Sequence, residues 1–325
     1  MEGYKNMIDA PLISVIIPTY NRAHIIGETL DSILAQTYTH WECIVVDDGS
    51  TDGTEDLMAE YMERDIRFRY YHRPAERPKG PCSCRNYGFE QSKGDYVNFF
   101  DSDDIYKLKA LETWLGHFKN DIDTVVSKVE LIRFNDYKLL KTYDIASDKL
   151  LEDFFTGRIN FFVCGALWKR DFLINKKMLF DETLRNGDDW DFNLRMLYNN
   201  PRIIFLDSAI VQNRVHENSL SKERSKLNKD ELKSYFTTLT FHLQEIKKEP
   251  SIDKALVEDY VISRYYAYLK LALRKGDGVK FYIFLELVKR EFLLKYYLLI
   301  PRTIMGFLIY VLSNRGYNLL NLKNK

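Results

Sequence analysis

The stretch from Ser14 to Thr54, SVIIPTYNRAHIIGETLDSILAQTYTHWECIVVDDGSTDGT, decides the fold. An apolar run, Leu12 to Ile17, is closed by Pro18 and reads as a strand buried on both faces. Ala23 to Gln36 carries apolar residues at 25, 26, 30, 33 and 34, the spacing of a helix with one inward face. Cys43 to Val46 is a second apolar run. Working outward, the pattern predicts a helix over Thr54 to Glu63 and a strand over Arg67 to His72. A helix over Ser83 to Gln91 and a strand over Tyr96 to Phe100 follow. Buried strands separated by amphipathic helices specify an α/β layer with a mainly parallel sheet. Ligands of such sheets sit beyond the carboxyl ends of the strands.

Those ends are polar. The first strand runs into Pro18-Thr19-Tyr20-Asn21-Arg22, the second into Asp47-Asp48-Gly49-Ser50-Thr51-Asp52-Gly53, and the fourth into Asp101-Ser102-Asp103-Asp104. Asp52 and Thr54 precede a helix and read as its caps. Asp101, Asp103 and Asp104 are different. Three carboxylates within four residues repel one another, so a cation between them is expected. The DDGSTDGTEDL segment also resembles the opening of a calcium loop. It has Ala59 where the bidentate Glu belongs and follows a strand, so that reading is rejected.

Further on, Thr124 to Phe134, Asn160 to Trp168 and Arg202 to Leu206 read as strands around a helix from Asp189 to Tyr198. After Ser221 the pattern turns helical, with Ile252 to Arg274 the clearest case and Gly276 just beyond its end. The charged KERSKLN stretch at 222–228 marks the joint. The expected organisation is therefore a domain over 1–222 and a helical region over 223–325.

In order along the chain, the 14–54 stretch, CRNYG (84–88), DSDD (101–104), FDETLRNGDDWDFNLRML (180–197) and VHENSLS (215–221) resemble the motifs of family 2 glycosyltransferases with the GT-A fold. The resemblance covers about residues 11–221. It implies a metal-dependent, inverting hexosyltransferase on a Rossmann-like mixed sheet, with a helical C-terminal extension. The implied donor is a nucleotide-diphosphate sugar, a UDP-sugar first, held by Pro18, Tyr20, Asn21, Asp48, Arg85, Asp101 and Ser102. Asp103 and His216 are the implied ligands of Mn²⁺ or Mg²⁺, and Asp189, with Asp188 beside it, the implied catalytic carboxylates. The family usually has Glu where this chain has Asp188. The implied product is a bacterial surface glycan, capsule or O-antigen, built on a glycan or polyprenyl-linked acceptor in the cytoplasm. Two alternatives stand beside this reading. A sugar nucleotidyltransferase would place a Gly-rich phosphate loop after the first strand, where this chain has PTYNRAHIIGE. A non-catalytic carbohydrate-binding protein on the same fold would not need Asp103 and Asp189.

The 325 residues carry 47 basic and 47 acidic side chains, so a nucleic-acid partner recruited by bulk positive charge is not expected. Cys43, Cys82, Cys84 and Cys164 are too few for a disulfide framework and read as packed free thiols. The first twenty residues lack the pattern of a secretory signal. From residue 289 onward seven basic residues stand against Glu291 alone, a net +6, amid many Phe, Tyr, Leu and Ile. No uncharged run there reaches the roughly 20 residues of a spanning helix. A peripheral contact with the inner face of the cell membrane is expected, the rival being a helical pair that packs on the catalytic domain or forms a homodimer.

Overall fold

A computed structural model describes residues 10–119, 121–184, 186–215, 226–313 and 315–321. It divides into two compact units between residues 217 and 218. The first is an α/β unit: β1 (Ile13–Thr19), α1 (Ile26–Leu34), β2 (Trp41–Asp47), α2 (Thr54–Arg64), β3 (Phe68–His72), α3 (Pro81–Gln91), β4 (Tyr96–Phe99), β5 (Ile105–Tyr106) and α4 (Ala110–Leu115). Then come β6 (Thr124–Arg133), β7 (Leu139–Thr142), α5 (Leu150–Thr156), β8 (Ala166–Lys169), α6 (Arg170–Ile174), α7 (Asp188–Leu197) and β9 (Ile203–Val215).

The strands form one sheet in the order β3-β2-β1-β4-β8-β6-β9-β5, with β7 paired to β6. β1 is parallel to both β2 and β4, β2 to β3, and β6 to β9, whereas β8 runs antiparallel to β4 and β6. This is the mixed sheet of a GT-A fold, curled by antiparallel pairs on one side. β1 and β2 are buried at every position; the apolar residues dominate them, and the polar Ser14 and Glu42 satisfy each other, the Ser14 hydroxyl donating to the Glu42 carboxylate at 2.7 Å. On one face Val15, Ile17, Cys43 and Val45 pack with Ile26, Leu30 and Ile33 of α1, and with Leu111 and Trp114 of α4. Burying such side chains contributes about 1.5–3 kcal/mol each. On the other face Ile44 and Val46 meet Cys84 of α3. Gly88 lets α3 lie tight on the sheet, since a Cβ there would come within 2.4 Å of the Ile16 side chain.

Several elements depart from the sequence reading. α1 begins at Ile26, not Ala23, because Arg22 to Ile25 form a turn whose carbonyl at Arg22 accepts the amides of Ile25 and Ile26. β9 runs to Val215, far past Leu206, and carries a bulged register with β6 near Lys128. The 160–168 segment is a strand only from Ala166, because Val163–Gly165 is a single 3-10 turn. The four cysteines are buried free thiols, as expected.

The second unit is helical: α8 (Lys229–Ile246), α9 (Lys254–Arg274), α10 (Lys280–Leu293) and α11 (Leu299–Ser313). Asn228 and Asp253 cap α8 and α9 by accepting backbone amides of the first turn. Among the described residues no helix is long and apolar enough to cross a membrane.

Candidate active site

The parallel register aligns the strand ends. Thr19 sits beside Asp47, and Asp47 beside His72, so Tyr20, Asp48 and Arg73 emerge side by side at one edge. Asp48 donates its amide to the Thr19 carbonyl, and Arg73 donates its amide to that of Asp47. Asp47 is wholly structural: its carboxylate accepts the Ser50 amide and hydroxyl and the Tyr70 hydroxyl at 2.8 Å. Asp48 instead takes the Arg73 guanidinium at 2.5 Å. Arg73 is further pinned by the carbonyls of Pro74 and Arg77. Tyr20 is 52% exposed over this edge. Asn21 has a positive φ of 53°, accepts the Thr51 amide and donates its own amide to the Ser50 hydroxyl, so it locks the first two strand ends together. Pro18 is buried within β1, paired with Val46. Asp52 accepts the amides of Ala23 and Thr54 and the Thr54 hydroxyl, which ties the turn together. The residue at the N-cap of α2 is Gly53, and Thr54 is its first helical residue, which corrects the expected cap.

The DSDD segment lies between β4 and β5, where the chain leaves the centre of the sheet for its far edge. Its carboxylates do not converge on one point, which corrects the expectation of a cation lodged among all three. Asp104 is fully buried and turns inward, accepting the Arg214 amide, the Asn213 side-chain amide and the Cys164 thiol. Burial, with Asp101 and Asp103 nearby, pushes its pKa well above the usual range. Ser102 is buried and its carbonyl accepts the Thr29 hydroxyl. Asp103 faces Arg22, with 3.9 Å between charged atoms. Asp101 accepts the Arg85 guanidinium at 2.5 Å.

Arg85 occupies the buried face of α3 with its side chain 4% exposed. One arm of its fork holds Asp101 and the other holds Asp188 at the start of α7. The guanidinium thus meets two carboxylates of the protein itself. Gly187, at a φ of 85°, allows the turn that starts α7, and Asp188, Asp189 and Asp191 crowd its first turn, where the helix dipole favours negative charge. Asp189 accepts the Val163 amide, yet its carboxyl is pushed up to about 8, first by burial and then by Asp188 and Asp101, with Arg85 opposing. Trp190 packs against Phe155 with the rings tilted by 46° and their centroids 5.5 Å apart.

Two arginines that the sequence did not single out organise these loops. Arg73 holds Asp48. Arg214, buried on β9, reaches the Asp103 carbonyl and Glu28 while its amide holds Asp104. Only strand-end position hinted at Arg73, and nothing marked Arg214. His216 lies outside the described residues.

The donor set can be weighed against a divalent cation. Among the described residues no three His, Cys, Asp or Glu side chains converge as a protein cage. Asp101, Asp103, Asp188 and Asp189 nevertheless share the cations Arg85 and Arg22, and Asp101 and Asp189 are both raised. Surplus carboxylate charge with one or two oxygen donors suits a hard cation that completes its shell with substrate phosphates. The residues fit such an ion.

Comparison with known proteins bears on the fold that carries these residues. The family model described as Glycosyl transferase family 2 matches residues 14–178. The uncharacterized glycosyltransferase EpsJ of Bacillus subtilis is 27% identical over 71% of this chain and 70% of its own length. Glycosyltransferase GlyG of Streptococcus pneumoniae is 34% identical over 56% of this chain and 52% of its own length. A B. subtilis protein named for teichuronic acid biosynthesis, TuaG, is 44% identical over 32% of this chain and 41% of its own. The chain thus spans about half of GlyG and less than half of TuaG. Among solved structures, S. aureus TarS 1-349 in complex with UDP-GlcNAc superposes with a TM-score of 0.63 at 19% identity, covering 86% of this chain and 81% of that one. The Pyrobaculum calidifontis mannosyltransferase PcManGT, in complex with GDP-Man and Mn2+, gives 0.53 at 18% identity over 97% and 94%. These likenesses establish the GT-A fold.

Proposed function

The chain belongs to glycosyltransferase family 2, and from that premise we propose a metal-dependent, inverting hexosyl transfer from a UDP-sugar to a glycan or lipid-linked acceptor of a surface polysaccharide. Membership removes the nucleotidyltransferase alternative. The observation that carries the proposal is the meeting of three strand ends and the start of α7 at one edge: Tyr20 and Asp48, Asp101 and Asp103, Asp188 and Asp189.

The roles follow from chemistry. A carboxylate can accept a base N–H and a tyrosine ring can pack on a base, which suits Asp48 and Tyr20 to the uracil end. Asn21 and Pro18 shape the slot between them, while Asp101, with Ser102 buried behind it, faces the ribose. Asp103 would hold Mn²⁺ or Mg²⁺, with His216 as the further ligand implied by resemblance. Such an ion would supply positive charge to a leaving diphosphate. Arg85 sets the relative position of Asp101 and Asp188. Asp189 serves as general base: it takes the acceptor hydroxyl proton as that oxygen bonds to the anomeric carbon. The bond from that carbon to the diphosphate breaks on the opposite side, its electrons leaving with UDP. A carboxyl raised to about 8 is closer to the ideal basicity than an ordinary aspartate. The UDP-GlcNAc complex of the TarS neighbour and the name of TuaG support the donor and the product class. The domain boundary falls in 217–222, and the catalytic unit precedes it.

The test is nucleotide release with Mn²⁺ across a panel of UDP-, GDP-, dTDP- and CMP-sugars. Turnover of at least one UDP-sugar is expected. Turnover confined to a GDP-sugar refutes the UDP assignment, and none with any donor or acceptor refutes catalysis.

A further inference from the structure

The helical unit holds a feature that transfer chemistry does not use. α10 buries Ile283 and Leu287, and α11 buries Thr303, Gly306 and Phe307, with Phe284 and Phe307 stacked 4.1 Å apart. Gly306 is needed there, because a Cβ would lie 2.9 Å from that of Leu319. The inner faces are therefore satisfied, whereas the outer face of α11 is bare. Ile304, Met305, Leu308 and Leu312 form one exposed stripe at spacings of one, three and four residues, with Leu312 84% exposed. The preceding turn ends in Leu298, 94% exposed. Together with Pro301 these stripe residues line a single apolar groove.

Charge decides what covers it. From Phe292 to the end of the sequence there is no Asp or Glu, but there are five Lys and Arg. Lys295 and Arg315 are exposed at either end of α11. The last acidic residue, Glu291, is fully buried and bonded to Tyr266 and Thr303. A two-fold interface with a second copy sets a patch against itself, so this rim would oppose cation to cation. The α9 carboxylates beside Tyr296 are already engaged, Asp259 by the Tyr296 hydroxyl and Glu258 by Lys247. An anionic lipid surface meets the same rim with opposite sign. Length settles the orientation: fifteen residues of helix extend about 22 Å, short of the roughly 30 Å hydrocarbon core. The helix can lie in the interface but not cross it.

We propose that the bare stripe of α11, flanked by Lys295 and Arg315, docks the protein flat on an anionic phospholipid bilayer.

Full-length protein should co-sediment with vesicles of mixed phosphatidylglycerol and phosphatidylcholine, release at about 0.5 M salt, and remain in solution with phosphatidylcholine alone. Lys295→Gln with Arg315→Gln should weaken partitioning roughly 30-fold, about fivefold for each charge. Met305→Asp with Leu308→Asp should abolish it. Leu308→Trp keeps the stripe apolar and reads insertion directly. Its emission, taken against the four native tryptophans, which all lie at or before Trp190, should shift blue on anionic vesicles and be quenched by brominated lipid. Wild-type protein that ignores anionic vesicles at low salt, or emission from the introduced indole that brominated lipid leaves unchanged, overturns the proposal. So does a dimer in sedimentation velocity that Leu308→Asp dissociates, which assigns the stripe to a second copy. None of these readouts involves turnover.

Discussion

Replacing Arg85 by methionine tests the electrostatic centre of the site. Methionine keeps the length and the apolar stem but leaves Asp101 and Asp188 without their shared cation. Breaking a buried ion pair costs roughly 3–5 kcal/mol, because the orphaned charge stays out of water. The two carboxylates are 27% and 17% exposed, so water relieves part of the penalty and the lower end, about 3 kcal/mol, applies. In a unit of this size each kcal/mol moves the melting temperature by roughly 2–4 °C, so a loss of about 6–12 °C is expected at neutral pH. The sign with pH follows from linkage. Burial already holds the Asp101 carboxyl above the usual carboxylate range with Arg85 opposing, so removing Arg85 raises it further. That penalty is absent below the unfolded value of about 3.9 and grows as pH rises from there through the folded pKa. Scanning calorimetry or circular dichroism melts of wild type and Arg85→Met from acid to neutral pH should show the gap narrowing toward acid. Adding Asp188→Asn to Arg85→Met should return part of the lost stability. Equal melting at neutral pH, or a gap that does not narrow in acid, refutes the reasoning.

Asp103→Ala should remove the Mn²⁺-dependent part of UDP affinity measured by calorimetry, and most of the activity, because the proposed cation would lose its protein ligand. Asp189→Asn should keep donor affinity within a few-fold while turnover falls roughly 10²–10⁴-fold; near-normal turnover moves the base elsewhere. In the wild type, kcat/KM measured at subsaturating donor should rise with pH through a limb near 8, since the base acts deprotonated and the free protein holds Asp189 at about 8. Asp189→Asn should lose that limb. Proton NMR of the product should show inversion, a β-glycoside from an α-linked donor, and an α product rules out a single displacement.

The sequence shows the sheet edge better than it shows the contacts across it. Strands buried on both faces are visible as mainly apolar runs, so β1, β2 and β4 and the polar residues after them can be placed from local pattern. What escapes is pairing between distant segments. Asp48 and Arg73 lie 25 residues apart, and Arg214 reaches back 186 residues to Glu28. The repulsion argument for Asp101, Asp103 and Asp104 assumes that neighbours in sequence face the same point. In an irregular turn successive side chains diverge, and each of these finds a different partner. The hairpin strand Leu139–Thr142 escapes too, because all four residues are exposed and leave no hydrophobic alternation to read. In the C-terminal region composition marks the apolar, basic stretch, but only packing divides it into an inner face that is used and an outer stripe that is not.

The Asp at 188, where the family resemblance implies Glu, can be argued from Arg85. An arginine fork has two arms, and here one is fixed by Asp101, at the mouth of the DSDD turn, and the other by Asp188, the first residue of α7. The short aspartate makes this contact directly from the helix terminus, so a longer carboxylate would have to fold back or displace α7 to keep it. Asp188 is thereby committed to the guanidinium, and its negative charge in turn raises the neighbouring Asp189. Asp189, held by the Val163 amide on its near side, is the member of the pair whose chemistry is left for an acceptor. Under the proposed mechanism the aspartate at 188 separates two duties: position for Asp188 through Arg85, and proton transfer for Asp189. Because Asp101 shares the same guanidinium, the contact that positions the start of α7 also positions Asp101, so under the proposed mechanism disturbing either end should be felt at both the base and the donor side.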